Sequence, residues 1–351
     1  MSNLVGEVKI DSHSFEEAAV KYRGPLVKIP VLSLNDLLRY MTCRLGVQGT
    51  EVVGTATGKA QLAPYKAGRR QAMDLNIVAR ELVTYFGSCN VDFEPNSAIS
   101  TVLGHHASQA MGDAQAKTPT ALEVLSLIVK SIGEDLRYAL FYGVRNPDGD
   151  RTIDLFDGFI TILNKEMKSG AVSEAKKNMV VLPKVTNANA CDVIKQAMFS
   201  LHPTLRREEC FLFCSVAVAD AYNESYLMSH TGLVYNDKYE QTVVEGSHKK
   251  LIIVPVPELE DDIAIITTKE NMLIGMDQLS DKETVRVKEF GPDVLTLMMR
   301  LFFGTQFESI DERRLKVVVF GNQEQPGGDD ETTEQPGGDD EPEGDGPEDA
   351  Q

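Results

Sequence analysis

Thr120-Ala-Leu-Glu-Val-Leu-Ser-Leu-Ile-Val-Lys-Ser-Ile-Gly-Glu-Asp-Leu-Arg-Tyr-Ala-Leu-Phe-Tyr142 carries Leu122, Leu125, Val129, Ile132, Leu136 and Leu140 at intervals of three and four. That spacing puts one apolar stripe along a helix. Pro119 suits a helix entrance, Thr120 and Glu123 stand at capping-box spacing, and Gly143 closes the pattern. The predicted helix is about 35 Å long. A single stripe on so long a rod packs against one surface, so the rest of the chain must supply that surface.

Downstream, Val144-Arg-Asn-Pro-Asp-Gly-Asp150 reads as a turn and Leu155–Leu163 as a short apolar segment. Ala190–Leu201 and Ala217–Met228 read as helices, with a buried strand at Cys210–Val216 between them. Strands then follow closely at Lys250–Val256, Ile263–Thr267, Met272–Met276, Thr284–Lys288, Leu295–Phe303 and Arg314–Phe320. Helices among a mixed set of strands make an α+β body.

Upstream the character changes. Leu34–Leu45 has the spacing of an amphipathic helix. Gln48–Tyr65 is rich in Gly, Thr and Val, and Arg80–Phe93 is strand-like with glycine punctuation, so residues 48–95 read as one extended hairpin. Basic, polar Lys66–Gln71 would be its tip.

Of the 351 residues 42% are hydrophobic and 25% charged, ample for a core. No apolar run of spanning length and no signal-peptide pattern occurs, so a cytoplasmic, membrane-free protein is expected. The net charge of −18 is concentrated: Gln323–Gln351 holds twelve acidic residues and no basic one, which leaves −6 for the remainder. This tail repeats Glu-Gln-Pro-Gly-Gly-Asp-Asp-Glu at Glu324–Glu331 and Glu334–Glu341, and is expected to be a disordered, solvated segment. A docking site for another protein is the sharper alternative. A mildly acidic body without a basic stripe speaks against high-affinity nucleic-acid binding, though not against lining a container of DNA.

Candidate chemistry is sparse. His105-His106 has no Cys, Asp or Glu at zinc-motif spacing and reads as a surface or interface pair. Cys210 and Cys214 flank aromatic and aliphatic residues, which favours a core strand over a redox pair. The five cysteines, Cys43, Cys89, Cys191, Cys210 and Cys214, are expected to be reduced. Asn146, Asp148, Asp150, Thr152, Asp154 and Asp157 imitate a calcium loop, but Arg151 replaces its glycine and Asp157 its glutamate; an Asx-type turn is the reading. Asn223-Glu-Ser225 fits the glycosylation pattern, which a cytoplasmic protein would not use. No catalytic, cofactor or metal residue is assigned.

The element order resembles that of major capsid proteins of tailed bacteriophages of the Hong Kong 97 fold type. The residues carrying the resemblance are Ser131–Phe141 with Gly143 and Leu155–Phe159, then Val218–Tyr226, Val244–Gly246 and Ile253–Pro257. Asn271–Asp277 with Ser280-Asp281, and Phe303–Phe307, complete the set. The match spans most of residues 30–320 and leaves the acidic tail outside.

The resemblance implies an N-terminal arm at 1–47 and an extended loop at 48–96 that reaches over a neighbouring subunit. It implies a peripheral domain at 97–189 with a spine helix at 120–142, an axial domain at 190–266, and return strands of both at 267–322, before the tail at 323–351. It further implies a structural subunit, not an enzyme, that forms pentamers and hexamers of an icosahedral head enclosing double-stranded DNA. Such a subunit works in the virion after assembly in the bacterial cytoplasm, with itself, a portal and a scaffold as partners and no cofactor. About thirty residues precede Leu34, so a separate scaffold or none is expected in place of a fused one. The family's lysine crosslink is not assigned, although Lys59 and Lys66 lie in the matching region. Two rivals stand beside this reading: an encapsulin-like shell around a cargo enzyme, told apart by gene neighbourhood, and an unrecognised α/β enzyme, told apart by a small size in solution and a deep polar pocket.

Overall fold

A computed structural model describes residues 19, 21, 22, 26, 34–58, 64–67, 70, 75–93, 120–229, 241–277, 285–291 and 294–321. The acidic tail, His105-His106 and Lys59 lie outside them.

In chain order the elements are α1 (Asn35–Leu38), β1 (Thr42–Leu45), β2 (Thr50–Gly58), β3 (Leu75–Val83), β4 (Tyr85–Phe93), α2 (Thr120–Tyr142), α3 (Phe159–Lys168), β5 (Met179–Leu182), α4 (Ala190–Phe199) and α5 (Pro203–Arg207). They continue with β6 (Cys210–Cys214), α6 (Val216–Ser229), β7 (Leu251–Pro255), β8 (Ile263–Thr267), β9 (Met272–Asp277), β10 (Val285–Gly291), β11 (Val294–Phe307) and β12 (Leu315–Phe320). The fold is α+β, as the sequence predicts.

Two five-stranded sheets and one two-stranded ribbon carry these strands. The first sheet is organised around β11, whose fourteen residues pair antiparallel with β10 and β4 over the first part and with β9 over the last. Parallel β1 completes it beside β9. The second sheet runs β5-β12-β8-β6-β7. Strands β6 and β8 are buried at every position, as expected of strands covered on both faces.

The long helix occupies the span its periodicity predicts. Its first half sets Leu125 and Val129 on Leu295, Leu297 and Met299 of β11. Its last turns bury Leu136, Ala139, Leu140 and Phe141 in the main core, with α3 and residues of both sheets. Arg137 Nε donates to Glu258 Oε1 at 2.7 Å, and the Tyr142 hydroxyl accepts from Glu260 N at 3.0 Å, which ties the helix end to the loop joining β7 and β8. A separate core lies between the second sheet and helices α4 and α6, where Tyr222 is fully buried.

Three local expectations change. Helix spacing at Leu34–Leu45 gives only the four-residue α1. Thr42–Leu45 instead pairs with Leu273–Met276, because a parallel ladder beside β9 satisfies its backbone while Met41 enters the core. The segment at 155–163 is the approach to a helix, since Lys165 and Lys168 continue an amphipathic pattern that begins at Phe159. The hairpin expected at 48–95 divides in two. Strand β2 pairs with β3 from Thr50↔Val83 to Gly58↔Leu75, while β4 leaves the ribbon and pairs with β11 from Tyr85↔Phe303 to Phe93↔Leu295.

Candidate assembly surface

The β2/β3 ribbon forms a sheet of its own. Strand β2 ends in Gly-Thr-Ala-Thr-Gly at 54–58, an alternation of β-branched and small residues that suits a pleated surface but supplies little bulk. Among the ribbon's described residues only Val53 and Leu82 are buried, both against Leu273 of β9. Val52, one pair nearer the root than Val53, is 68% exposed, and Val78, farther out, is 47% exposed. At the tip Tyr65 is 94% exposed, and Lys66 is exposed beside it. A two-stranded ribbon with apolar side chains in water is marginal by itself and is the kind of surface that another chain covers.

Its root is built with more care than its tip. The chain enters through Gly49 at φ +103°, a left-handed conformation that a side chain would resist. Buried Thr84 closes the root: its N–H donates to Gly49 O at 2.7 Å, its hydroxyl donates to Val47 O at 2.9 Å, and Gly49 N donates to that hydroxyl at 3.0 Å.

Beneath Thr84 lie Gly275 of β9 and Gly304 of β11, which are direct cross-strand partners. A Cβ on Gly304 would stand 2.1 Å from Val83 O, and one on Gly275 would stand 2.5 Å from Thr84 Cγ2. The bare pair lets the ribbon's backbone lie on the sheet.

Four residues along β3, Arg80 Nη2 donates to Glu166 Oε1 of α3 at 2.7 Å and to Gln306 Oε1 of β11 at 3.1 Å. Gln306 Nε2 returns a bond to Glu81 O at 3.0 Å.

The residues singled out for chemistry behave as structural groups. Asp148 N donates to Asn146 Oδ1 at 3.2 Å, which makes the turn at 146 an Asx turn. Asp157 accepts from Arg145 N and from Lys165 Nζ at 2.7 Å, and Asp154 accepts from Arg151. The Asp154 and Asp157 carboxylates of the apparent calcium loop are thus spent on local backbone and cations. Among the described residues no group of three or more His, Cys, Asp or Glu could hold a metal, and no helix is long and apolar enough to cross a membrane.

All five cysteines are free. Burial pushes the Cys214 thiol up to about 12, and burial followed by the charges of Glu208 and Glu209 does the same to Cys210. A thiol so far above neutrality is unreactive. Asn223 Oδ1 accepts from Gln241 N at 2.9 Å and Ser225 is buried, so the glycosylation pattern belongs to the packing of α6.

Sequence reasoning found the ribbon but missed its anchor. Arg80, Glu166 and Gln306 are far apart in the chain and have no motif. The one available signal was two lone glycines, Gly275 and Gly304, inside otherwise bulky strands.

No family model and no curated protein matches the chain. Solved structures do. A chain of the satellite phage P4 procapsid that includes the size determination protein superposes with a TM-score of 0.54 at 16% identity, covering 85% of this chain and 90% of its own. This is the Hong Kong 97 fold. Other structures aligned with this Hong Kong 97 fold include a chain of Gordonia phage Cozz, at TM-score 0.47 and 13% identity over 84% of this chain and 86% of that one. A virus-like particle from Pyrococcus furiosus aligns at TM-score 0.43 and 10% identity, over 85% and 98%.

Proposed function

We propose that the chain is a major capsid protein, a structural subunit that assembles with copies of itself into the icosahedral head of a tailed phage and catalyses nothing. The observation that carries the proposal is the β2/β3 ribbon, a projecting element with exposed apolar residues and little core of its own. Such a ribbon gains stability by lying on another chain, and head-to-tail contacts repeated around an axis close into rings. Pentamers and hexamers enclosing DNA are the assemblies this reading expects, with a portal and a separate scaffold as further partners and the virion as the final location.

On this reading α2 is the spine helix and, with the first sheet, belongs to the peripheral domain. The second sheet with α4 and α6 is the axial domain, which takes in β5 and β12 as well as residues 190–266. The extended loop is the ribbon from Thr50 to Val83.

The test is negative-stain electron microscopy and sedimentation of the purified protein, alone and with the products of neighbouring genes. Pentamers, hexamers or closed particles are expected. A strictly monomeric species throughout would overturn the proposal, and closed particles holding an enzyme in place of DNA would move it to a cargo shell.

A further inference from the structure

The ribbon is held to its own body at its root and, farther along β3, by a polar cluster, with the non-directional apolar contact of Val53 and Leu82 on Leu273 between them. At Thr84 the attachment is steric and backbone-based: the bare Gly275–Gly304 pair receives Val83–Thr84, and the hydroxyl closes the root on Val47 and Gly49. At Arg80, about 13 Å along an extended strand, it is ionic: one guanidinium nitrogen bridges Glu166 of α3 and Gln306 of β11.

A single attachment is a pivot about which a ribbon can swing. A second one at a distance fixes a direction. We propose that the Arg80–Glu166–Gln306 cluster is a latch that sets the angle at which the ribbon leaves the body, and that correct subunit assembly depends on it.

Burial and wiring support a directional role. Arg80 and Glu166 side chains are 13% and 22% exposed, so their pairing is largely shielded from water and salt. Arg80 Nε is buried with no partner among the described residues. A site optimised for stability alone would be better filled by an apolar side chain, since half-satisfied buried ion pairs contribute little net stability and are best known for specifying one arrangement over others. Gln306 couples the parts: its carbonyl oxygen accepts from Arg80 and from Phe307 N, while its amide holds Glu81 O. The latch therefore grips both a side chain and the backbone of β3, and refers them to α3 and β11.

The latch is tested on the unassembled full-length chain, so its failure is distinguishable from failure of the shell reading, on which only the assembly consequence rests. Hydrogen exchange of peptides covering β2 and β3 is compared for the native chain, Arg80→Met, Glu166→Gln and the reversal Arg80→Glu/Glu166→Arg.

Both single variants should speed exchange in the ribbon by roughly ten-fold or more while exchange in β6, β8 and β12 stays as it was. The reversal should restore protection. Under assembly conditions the single variants should give open or mixed particles and the reversal uniform ones. Unchanged ribbon exchange in both single variants overturns the latch, as does a reversal that fails to rescue while the body stays folded. Faster exchange spread equally over ribbon and body also overturns it, because the cluster would then be a general stabiliser. A latch confirmed by exchange beside a native chain that never assembles would leave the ribbon geometry standing and sink the shell-subunit reading.

Discussion

The β2/β3 ribbon and the second sheet draw on similar strand-forming residues and end in opposite circumstances. Strands β6, Cys-Phe-Leu-Phe-Cys, and β8, Ile-Ala-Ile-Ile-Thr, are bulky at nearly every position and buried on both faces. Strand β2, Thr-Glu-Val-Val-Gly-Thr-Ala-Thr-Gly, places small residues where those strands place large ones, and among its described residues only Val53 is buried. Both regions are hydrogen-bonded sheets, but β6 and β8 have a partner on each side, whereas β2 and β3 are both edges. What also separates them is the side-chain volume offered to a second layer, at roughly 1.5–3 kcal/mol for each large apolar side chain taken out of water. The second sheet supplies a core to the body, and under the proposed function the ribbon is left for a neighbouring copy.

The comparison can be broken most directly at its heavy end. Ile265→Asp, at a fully buried position of β8, leaves an unpaired carboxylate in the core and should cost about 4 kcal/mol or more. Most of the cooperative thermal transition should vanish; a native-like melt would mean the second sheet is not the structural core.

Next in size is a pair of deletions that locates the border between the regions. Replacing Thr50–Val83 by a short Gly/Ser linker should keep a folded body with a melting temperature within several degrees of the native one, and should abolish closed particles. Extending the cut through Phe93 removes β4 from β11 and should unfold the first sheet, visible as loss of its hydrogen-exchange protection. Equal behaviour of the two deletions would erase the border drawn at Thr84.

Gly304→Ala is a smaller, sharper probe, because its Cβ would stand 2.1 Å from Val83 O. Forcing the ribbon's root off the sheet should cost about 1–3 kcal/mol, read as a lowered melting temperature. Assembly should suffer more than that loss alone explains.

The smallest effect is a pH slope confined to the sheet. Thiols of Cys210 and Cys214 stay protonated in the fold up to about 12, against an ordinary 9.0, so the unfolded chain loses those protons first. Their contribution is fully present below pH 9 and is lost as pH rises from there toward 12. Cys214→Ala should therefore show a shallower fall in melting temperature across that range than the native chain, and an identical slope would count against the buried-thiol account.

Much of this architecture was legible in the sequence. The helix at Thr120–Tyr142 and the strands near 251–255, 263–267 and 272–277 declare themselves because their apolar patterns are long or dense enough for local chemistry to decide. The ribbon's end was not legible. Residues 80–93 read as one strand-like run with no turn residue at Thr84, and the break there is imposed by Gly275 and Gly304, roughly two hundred residues away. Thr42–Leu45 failed for the same reason, since the partner that makes it a strand is Leu273–Met276. As for the assembly surface, its exposed ribbon followed from glycine and threonine content, whereas the Arg80 cluster is three unremarkable polar residues until the fold assembles them.

The continuity of β3 into β4 through Thr84 also has a mechanical meaning. In the proposed shell, tension applied to the ribbon by a neighbouring copy would travel along the chain into β4. There it meets nine register pairs with β11, from Tyr85↔Phe303 to Phe93↔Leu295. β11 in turn pairs with β9 and β10 and is covered by α2. A load that enters through this connection is thus spread across a whole sheet before it reaches the core, so a capsid subunit of this design should yield by shedding its neighbour sooner than by tearing within itself.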